Sequence, residues 1–200
     1  SWSFRLFAGF GFPLTSNDST LPFFKQYFGG GSTSMRGWPA RGIGPGGLKL
    51  GTYKRNVFNE RTGDIKLEMN VEYRTKVAEI IPNLLTLRWA FFADIGNIWN
   101  WKPSYDSNGI KSDTSQFKLK NLYKHAGLSA GTGLRLDFNY VVLRLDFGFR
   151  FKRPETSYIN NGWKAPSIGF DDFLPKRFNV KYKEWRYQNF NFTIGINYPF

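Results

Sequence analysis

Cysteine is absent from the 200-residue chain, and histidine occurs once, as His125. Zero Cys removes disulfide frameworks, thiolate metal sites and cysteine nucleophiles, and one imidazole leaves no His cluster for zinc or a charge-relay triad. His125 falls in a loop with no nucleophile motif around it, so a lipase or protease reading lacks support and the chain is expected to be no enzyme and to need no cofactor or metal. Long apolar runs are also lacking. Charges and glycines break every hydrophobic stretch within about ten residues, against the roughly 18 that a membrane helix needs, so a spanning helix is excluded. Acidic side chains are scarce beside basic ones, 15 against 28, for a net charge of +13. The excess is spread out, with 12 basic and 7 acidic residues in the first hundred and 16 and 8 in the second. Without a basic helix or a concentrated patch, nucleic acid is not an expected partner. No charged n-region, apolar h-region or small-residue cleavage site opens the chain, and Ser1 lies inside a strand-like pattern. Either a removed signal or a fragment of a larger protein is expected from that start.

Aromatic residues, at 19%, are abundant, and they fall on a period of two rather than 3.6. From Ile65 to Val77 the odd positions are Ile, Leu, Met, Val, Tyr, Thr and Val, while the even ones are Lys66, Glu68, Asn70, Glu72, Arg74 and Lys76. The same alternation marks six candidate strands, about 2–12, 64–78, 84–99, 127–139, 140–153 and 189–200. At about 11 residues or more they match a tilted strand that crosses a bilayer, whereas strands of soluble sandwiches are roughly half as long. A soluble antiparallel sheet also alternates. Here, however, aromatics gather toward the strand ends of the apolar face (Trp2, Tyr73, Phe138, Tyr140, Phe149, Phe151, Tyr198, Phe200), as a membrane-interface girdle would. The opposite face carries Glu72, Arg88, Asp94, Arg135, Asp137, Arg144 and Asp146, costly in a dry core and natural in a polar lumen. The expected fold class is therefore all-β, a transmembrane antiparallel β-barrel. Short turns near Pro82–Asn83 and Asn139–Tyr140 alternate with long connections at 13–63, 100–126 and 153–189, the outer-membrane arrangement in which long loops face outward. Six strands are too few to close a barrel, since the smallest have about eight. Residues 1–200 are thus expected to be the carboxyl-terminal portion of a larger one, with Phe190–Phe200 pairing with a strand outside the sequence.

The first long loop contains Tyr27-Phe28-Gly29-Gly30-Gly31-Ser32-Thr33-Ser34-Met35-Arg36-Gly37-Trp38 and then Arg41-Gly42-Ile43-Gly44-Pro45-Gly46. A phosphate-cradling reading fails because no Lys-Ser/Thr follows and no helix pattern opens after it. The stretch resembles the signature loop of the BamA/TamA superfamily of outer-membrane barrel insertases and translocases, with Met35-Arg36-Gly37-Trp38 in place of its apolar-Arg-Gly-aromatic tetrad. Phe92-Ala93-Asp94-Ile95-Gly96 resembles that family's Phe-x-Asp-x-Gly strand motif, and Val71-Glu72-Tyr73-Arg74 its Glu-aromatic-Arg strand segment. Gly131–Asp137 and Leu143–Gly148 resemble its penultimate strand pair, and Leu21-Pro22-Phe23-Phe24-Lys25-Gln26-Tyr27-Phe28 resembles the TamA-like (TamL) branch of Bacteroidetes-type bacteria. The alternating end, Phe190, Phe192, Ile194, Ile196, Tyr198 and Phe200, resembles the terminal β-signal of outer-membrane proteins.

The resemblance implies a barrel of about sixteen strands in the bacterial outer membrane, with periplasmic POTRA domains upstream. Its expected partners are outer-membrane lipids, client outer-membrane proteins and accessory assembly proteins. It also implies that the loop folds back into the barrel with its arginine on the strand aspartate. On residue chemistry alone, Asp94 needs a cation in a partly dehydrated lumen, and Arg36 offers a bidentate fork. Arg88 or Arg135 would serve Asp94 as well, and Glu72 is a second candidate to hold Arg36. In the last segment Gly195 removes packing and Pro199 removes a ladder donor. That weakness suits a seam at which Phe190–Phe200 templates client strands. A fully zipped terminal strand, and a passive channel or porin lined by Arg and Lys, are the alternatives.

Overall fold

The computed structural model describes residues 1–13, 21–48, 61–105, 111–138, 140–154, 160–166 and 188–200. Parts of the three long connections, and Asn139 in the expected turn, lie outside the described residues.

Six strands form one antiparallel sheet: β1 (Trp2–Phe10), β2 (Ile65–Ile81), β3 (Leu85–Trp99), β6 (Gly127–Phe138), β7 (Val141–Lys152) and β8 (Phe190–Ile196). Their order in space is their order in sequence, with β1 and β8 at the two edges. A two-residue pair, β4 (Ser104–Tyr105) and β5 (Lys111–Ser112), and a single helical turn, α1 (Leu122–His125), occupy the connection between β3 and β6. No helix among the described residues is long and apolar enough to cross a membrane.

The alternation in the sequence becomes two unlike faces because successive strand side chains point oppositely. One face is open and oily: Phe4, Leu6, Phe91 and Ile194 are all more than half exposed. Aromatics crowd both ends of it. Trp2 packs on Tyr73 with ring centroids 4.8 Å apart at the end of the short turns, and Phe12 stacks on Trp101 at 4.7 Å at the end of the long loops. The other face is ionic and covered. Glu68, Asn70, Glu72, Asp94, Arg135, Arg144 and Asp146 are all buried there, beneath the described part of the first long loop. A soluble protein would bury the oily face instead.

The first strand stops at Phe10, two residues before its expected end, and larger departures from the sequence pattern occur in two further places. At the β2–β3 hairpin, register shifts between Lys76 and Ala78 and between Glu79 and Ile81 carry β2 to Ile81, and Asn83 turns the chain at a positive φ of 60°. At the carboxyl end the expected strand 189–200 stops early, at Ile196. Asn197 adopts φ 63°, a conformation that breaks a ladder and that Asn tolerates better than most residues. Tyr198 consequently leaves the oily face: its hydroxyl donates to Asp137 at 3.0 Å, and the Arg74 guanidinium lies 4.2 Å from its ring centroid. Phe200 likewise sits 5.9 Å from the Arg36 guanidinium rather than extending the oily row that runs through Phe190, Phe192, Ile194 and Ile196.

Candidate functional site

The loop that covers the ionic face is built from tight turns. Gly31 N–H donates to Trp38 O at 2.8 Å, Trp38 N–H to Met35 O at 3.0 Å, and Gly42 N–H to Pro39 O at 2.8 Å. These closures place Met35, Trp38 and Ile43 together in a small buried apolar cluster, and Arg36 and Ser34 reach the charged side chains of the strands. Bridges from Tyr27 to Gly63 and from Gly29 to Ile43 fix the loop's base.

Arg36 is 1% exposed and is held on three sides. Its Nε and Nη2 donate to the two carboxylate oxygens of Asp94 on β3 at 3.0 and 2.7 Å, and its backbone N–H donates to the same carboxylate at 2.9 Å. Its Nη1 pairs with Glu72 on β2. Phe92, two residues before Asp94, presents its ring 3.7 Å from the guanidinium carbon. A guanidinium matches this arrangement because its planar fork can meet two carboxylates and a ring face at once. Asn70 completes the shell, donating to Asp94 at 3.0 Å and to Ser34 O at 3.0 Å.

The other cations named as alternatives for Asp94 have different partners. Arg88 pairs with Asp137 at 3.0 Å. Arg135 lies between Glu72, at 3.2 Å, and Asp146, at 2.6 Å. Arg74 adds a further bond to Glu72 at 2.7 Å. Glu72 and Asp146 therefore connect Arg36, Arg74, Arg135 and Arg144 into one buried network, with Arg144 on Asp146 at 3.1 Å. Buried ions on this scale are tolerable only when paired, and Glu72 and Asp146 each meet more than one cation.

The loop's backbone is also gripped from the later strands of the same ionic face. Arg150 on β7 donates to Gly37 O at 2.7 Å, Arg144 to Ser32 O at 3.1 Å, and Asn191 on β8 to Arg36 O at 2.9 Å, while Gly37 N–H donates to Ser129 on β6 at 3.3 Å. Gly148 on β7 makes room for this contact. A Cβ there would lie 2.7 Å from Arg36 O and 2.9 Å from Gly37 N, atoms of the loop backbone that cannot swing aside. Gly195 gives similar room to the Arg144 guanidinium. Sequence reading placed Asn70, Ser129, Arg150 and Asn191 only as polar positions of alternating strands. Nothing in their residue types marks them as loop anchors, since any polar residue satisfies the alternation.

A further anchor lies nearer the long-loop end, where Asn97 donates to Gly46 O at 2.9 Å and also to His125 O. His125 is buried beside Gly47. Its imidazole is held below the ordinary value, first by burial and then by the ammonium groups of Lys152 and Lys124, so it is neutral at pH 7. Among the described residues no group of three or more His, Cys, Asp or Glu could hold a metal ion.

The family model that matches this chain is that of the Omp85 superfamily domain, over residues 1–198. The chain is also similar to the outer membrane protein assembly factor BamA of Neisseria meningitidis serogroup B, 28% identical over 108 residues, a match covering 52% of this chain and 12% of that protein. A buried arginine loop over the ionic face of an oily-backed antiparallel sheet, together with a family match along almost all of its length, leads to one assignment: the chain belongs to the Omp85 superfamily and is of the BamA/TamA type.

Proposed function

We propose that the protein containing this chain assembles or inserts other proteins into the bacterial outer membrane, with its long loops facing the exterior. The observation that carries the reading is the family match across residues 1–198, and the similarity to an assembly factor of the outer membrane supports it. Outer-membrane lipids would face the oily side, POTRA domains would lie upstream, and accessory assembly proteins would join them. The segment Leu21–Phe28 favours the TamA-like (TamL) branch.

The proposed mechanism involves no covalent chemistry. A strand edge offers unpaired N–H and C=O groups to a second strand, and in lipid those groups have no water to fall back on. β8 lies at the sheet's edge and is only seven residues long, and Phe190, Phe192, Ile194, Gly195 and Ile196 would form one side of a weak seam at which client strands are templated. Tyr198 and Phe200, folded against Asp137 and Arg36, would have to unfold outward before they could join that edge. Met35, Arg36, Gly37 and Trp38 would stiffen the wall beside the seam through Asp94 and Glu72.

Depletion of the full-length protein tests this reading. Outer-membrane β-barrel proteins should then accumulate unfolded, and full-length protein carrying Arg36→Ala should restore their assembly poorly. Normal assembly after depletion, together with steady anion conductance of the purified full-length barrel, would overturn the reading in favour of a passive channel.

A further inference from the structure

The loop meets both halves of the sheet, and the ion pairs of its Arg36 side chain go to one half only. The Arg36 side chain is spent on β2 and β3, through Glu72 and Asp94. The carbonyls of Ser32, Arg36 and Gly37 are held by β7 and β8, through Arg144, Asn191 and Arg150, while that of Ser34 is held by Asn70 on β2. Asn191 is the member of this set on the edge strand itself. Its Nδ2 reaches Arg36 O at 2.9 Å across a sequence distance of 155 residues, from a part-buried position on the ionic face. Its register partner on β7 is Gly148, the residue whose missing side chain lets the Arg36–Gly37 backbone approach. Asn191 and Gly148 thus form a cross-strand pair with one function: Gly148 admits the loop backbone, and Asn191 fastens it.

We propose that Asn191 is a positioning residue that tethers the edge strand β8 to the signature loop, so that the loop governs how readily β8 leaves the sheet. The idea rests on the reading above that β8 borders the seam. An amide suits the task. It donates to a carbonyl at ordinary hydrogen-bond length, but it carries no charge, so the bond can break without stranding an ion in a low-dielectric interior. Arg36 on Asp94 cannot open at comparable cost. The edge strand is therefore fastened by a releasable bond to a loop whose attachment through the Arg36 side chain is ionic and fixed.

The test is hydrogen exchange of the full-length protein in lipid nanodiscs. Asn191→Leu removes the donor while keeping the same branched four-atom skeleton, Asn191→Ser shortens it out of reach, and Asn191→Gln keeps an amide donor. In the Leu and Ser variants the amides of Phe190–Ile196 should exchange roughly three- to tenfold faster than in wild type, the loss expected for one hydrogen bond. Amides of β2 and β3 should be unchanged, and Asn191→Gln should recover part of the protection. Equal exchange in β8 would overturn the tether. So would acceleration spread equally over β2, β3 and β8, which is the signature of a merely structural role. Should one variant not fold, the other two decide. Faster β8 exchange in a protein whose depletion leaves assembly intact would keep the tether and reject the assembly function, whereas unchanged exchange in a protein essential for assembly would reject the tether alone.

Discussion

The β2–β3 pair and the β7–β8 pair hold the same loop by different means. β2 and β3 are 17 and 15 residues long, run in continuous register from Ile65–Trp99 to Lys76–Arg88, and grip Arg36 with two buried carboxylates. β8 is seven residues long, stops where Asn197 turns, and meets the loop through a neutral amide. A buried ion pair with one partner removed is far costlier than a lost neutral hydrogen bond. The ionic grip on Arg36 therefore lies on β2 and β3, while β8 contributes a neutral amide of the kind that Asn70 also supplies on β2. Under the proposed function, that arrangement would suit a barrel with one openable side.

The comparison breaks most severely at Arg36. Arg36→Ala leaves the buried carboxylate of Asp94 without its cation and Glu72 with Arg74 and Arg135 only, and should cost about 3–5 kcal/mol, read as a lower thermal midpoint and the loss of heat-modifiable electrophoretic mobility of the full-length barrel. An unchanged midpoint would mean that the ionic half of the clamp contributes little. The charge-swapped pair Arg36→Asp with Asp94→Arg should recover part of the loss, and no recovery would assign a larger share to Glu72.

Asp94→Asn comes next. It keeps an acceptor and removes the charge, so a loss of about 1.5–3 kcal/mol is expected, measured by the same melt. On the β7–β8 side Gly148→Ala should cost about 1–3 kcal/mol by pushing on the Arg36–Gly37 backbone. Its distinguishing mark is faster exchange of β8 amides before those of β2. If β2 loosens first, the two halves are not separable.

The smallest effect belongs to His125, away from both halves. Burial and two lysine neighbours lower its folded value below that of the unfolded chain. Its contribution to stability is thus present above about pH 6.5 and is lost as pH falls through that value toward the folded one. The wild-type thermal midpoint should fall below about pH 6.5 more steeply than that of His125→Gln. Parallel curves would remove His125 from the account.

The period of two made the six strands and their two faces readable, because alternation is a direct consequence of strand geometry. Arg36 and Asp94 could be named from motif resemblance and from the need of a lumen carboxylate for a cation, yet Arg88 and Arg135 met the same need on paper. The sheet's register separates them, setting Arg88 near Asp137 and Arg135 between Glu72 and Asp146. The end of β8 was not legible. Tyr198 and Phe200 continue the apolar alternation in sequence, and the positive φ of Asn197 that turns them inward is a conformation, not a composition. The bulges near Lys76–Ile81 were hidden for the same reason. Asn191 was hidden because its role depends on a loop backbone 155 residues away in sequence.

The seating of the loop through Arg36 is tested most directly at Ser129, which is fully buried and bonded to Gly37 N–H. Residues 1–200 contain no cysteine, so with any cysteine elsewhere in the full-length protein replaced by serine, a single Ser129→Cys substitution reports alone, by its rate of labelling with a water-soluble maleimide in the full-length barrel. Slow labelling with Arg36 present and at least tenfold faster labelling with Arg36→Ala, the factor about 1.4 kcal/mol would give, is the expected result. Equal rates in the two backgrounds would contradict it.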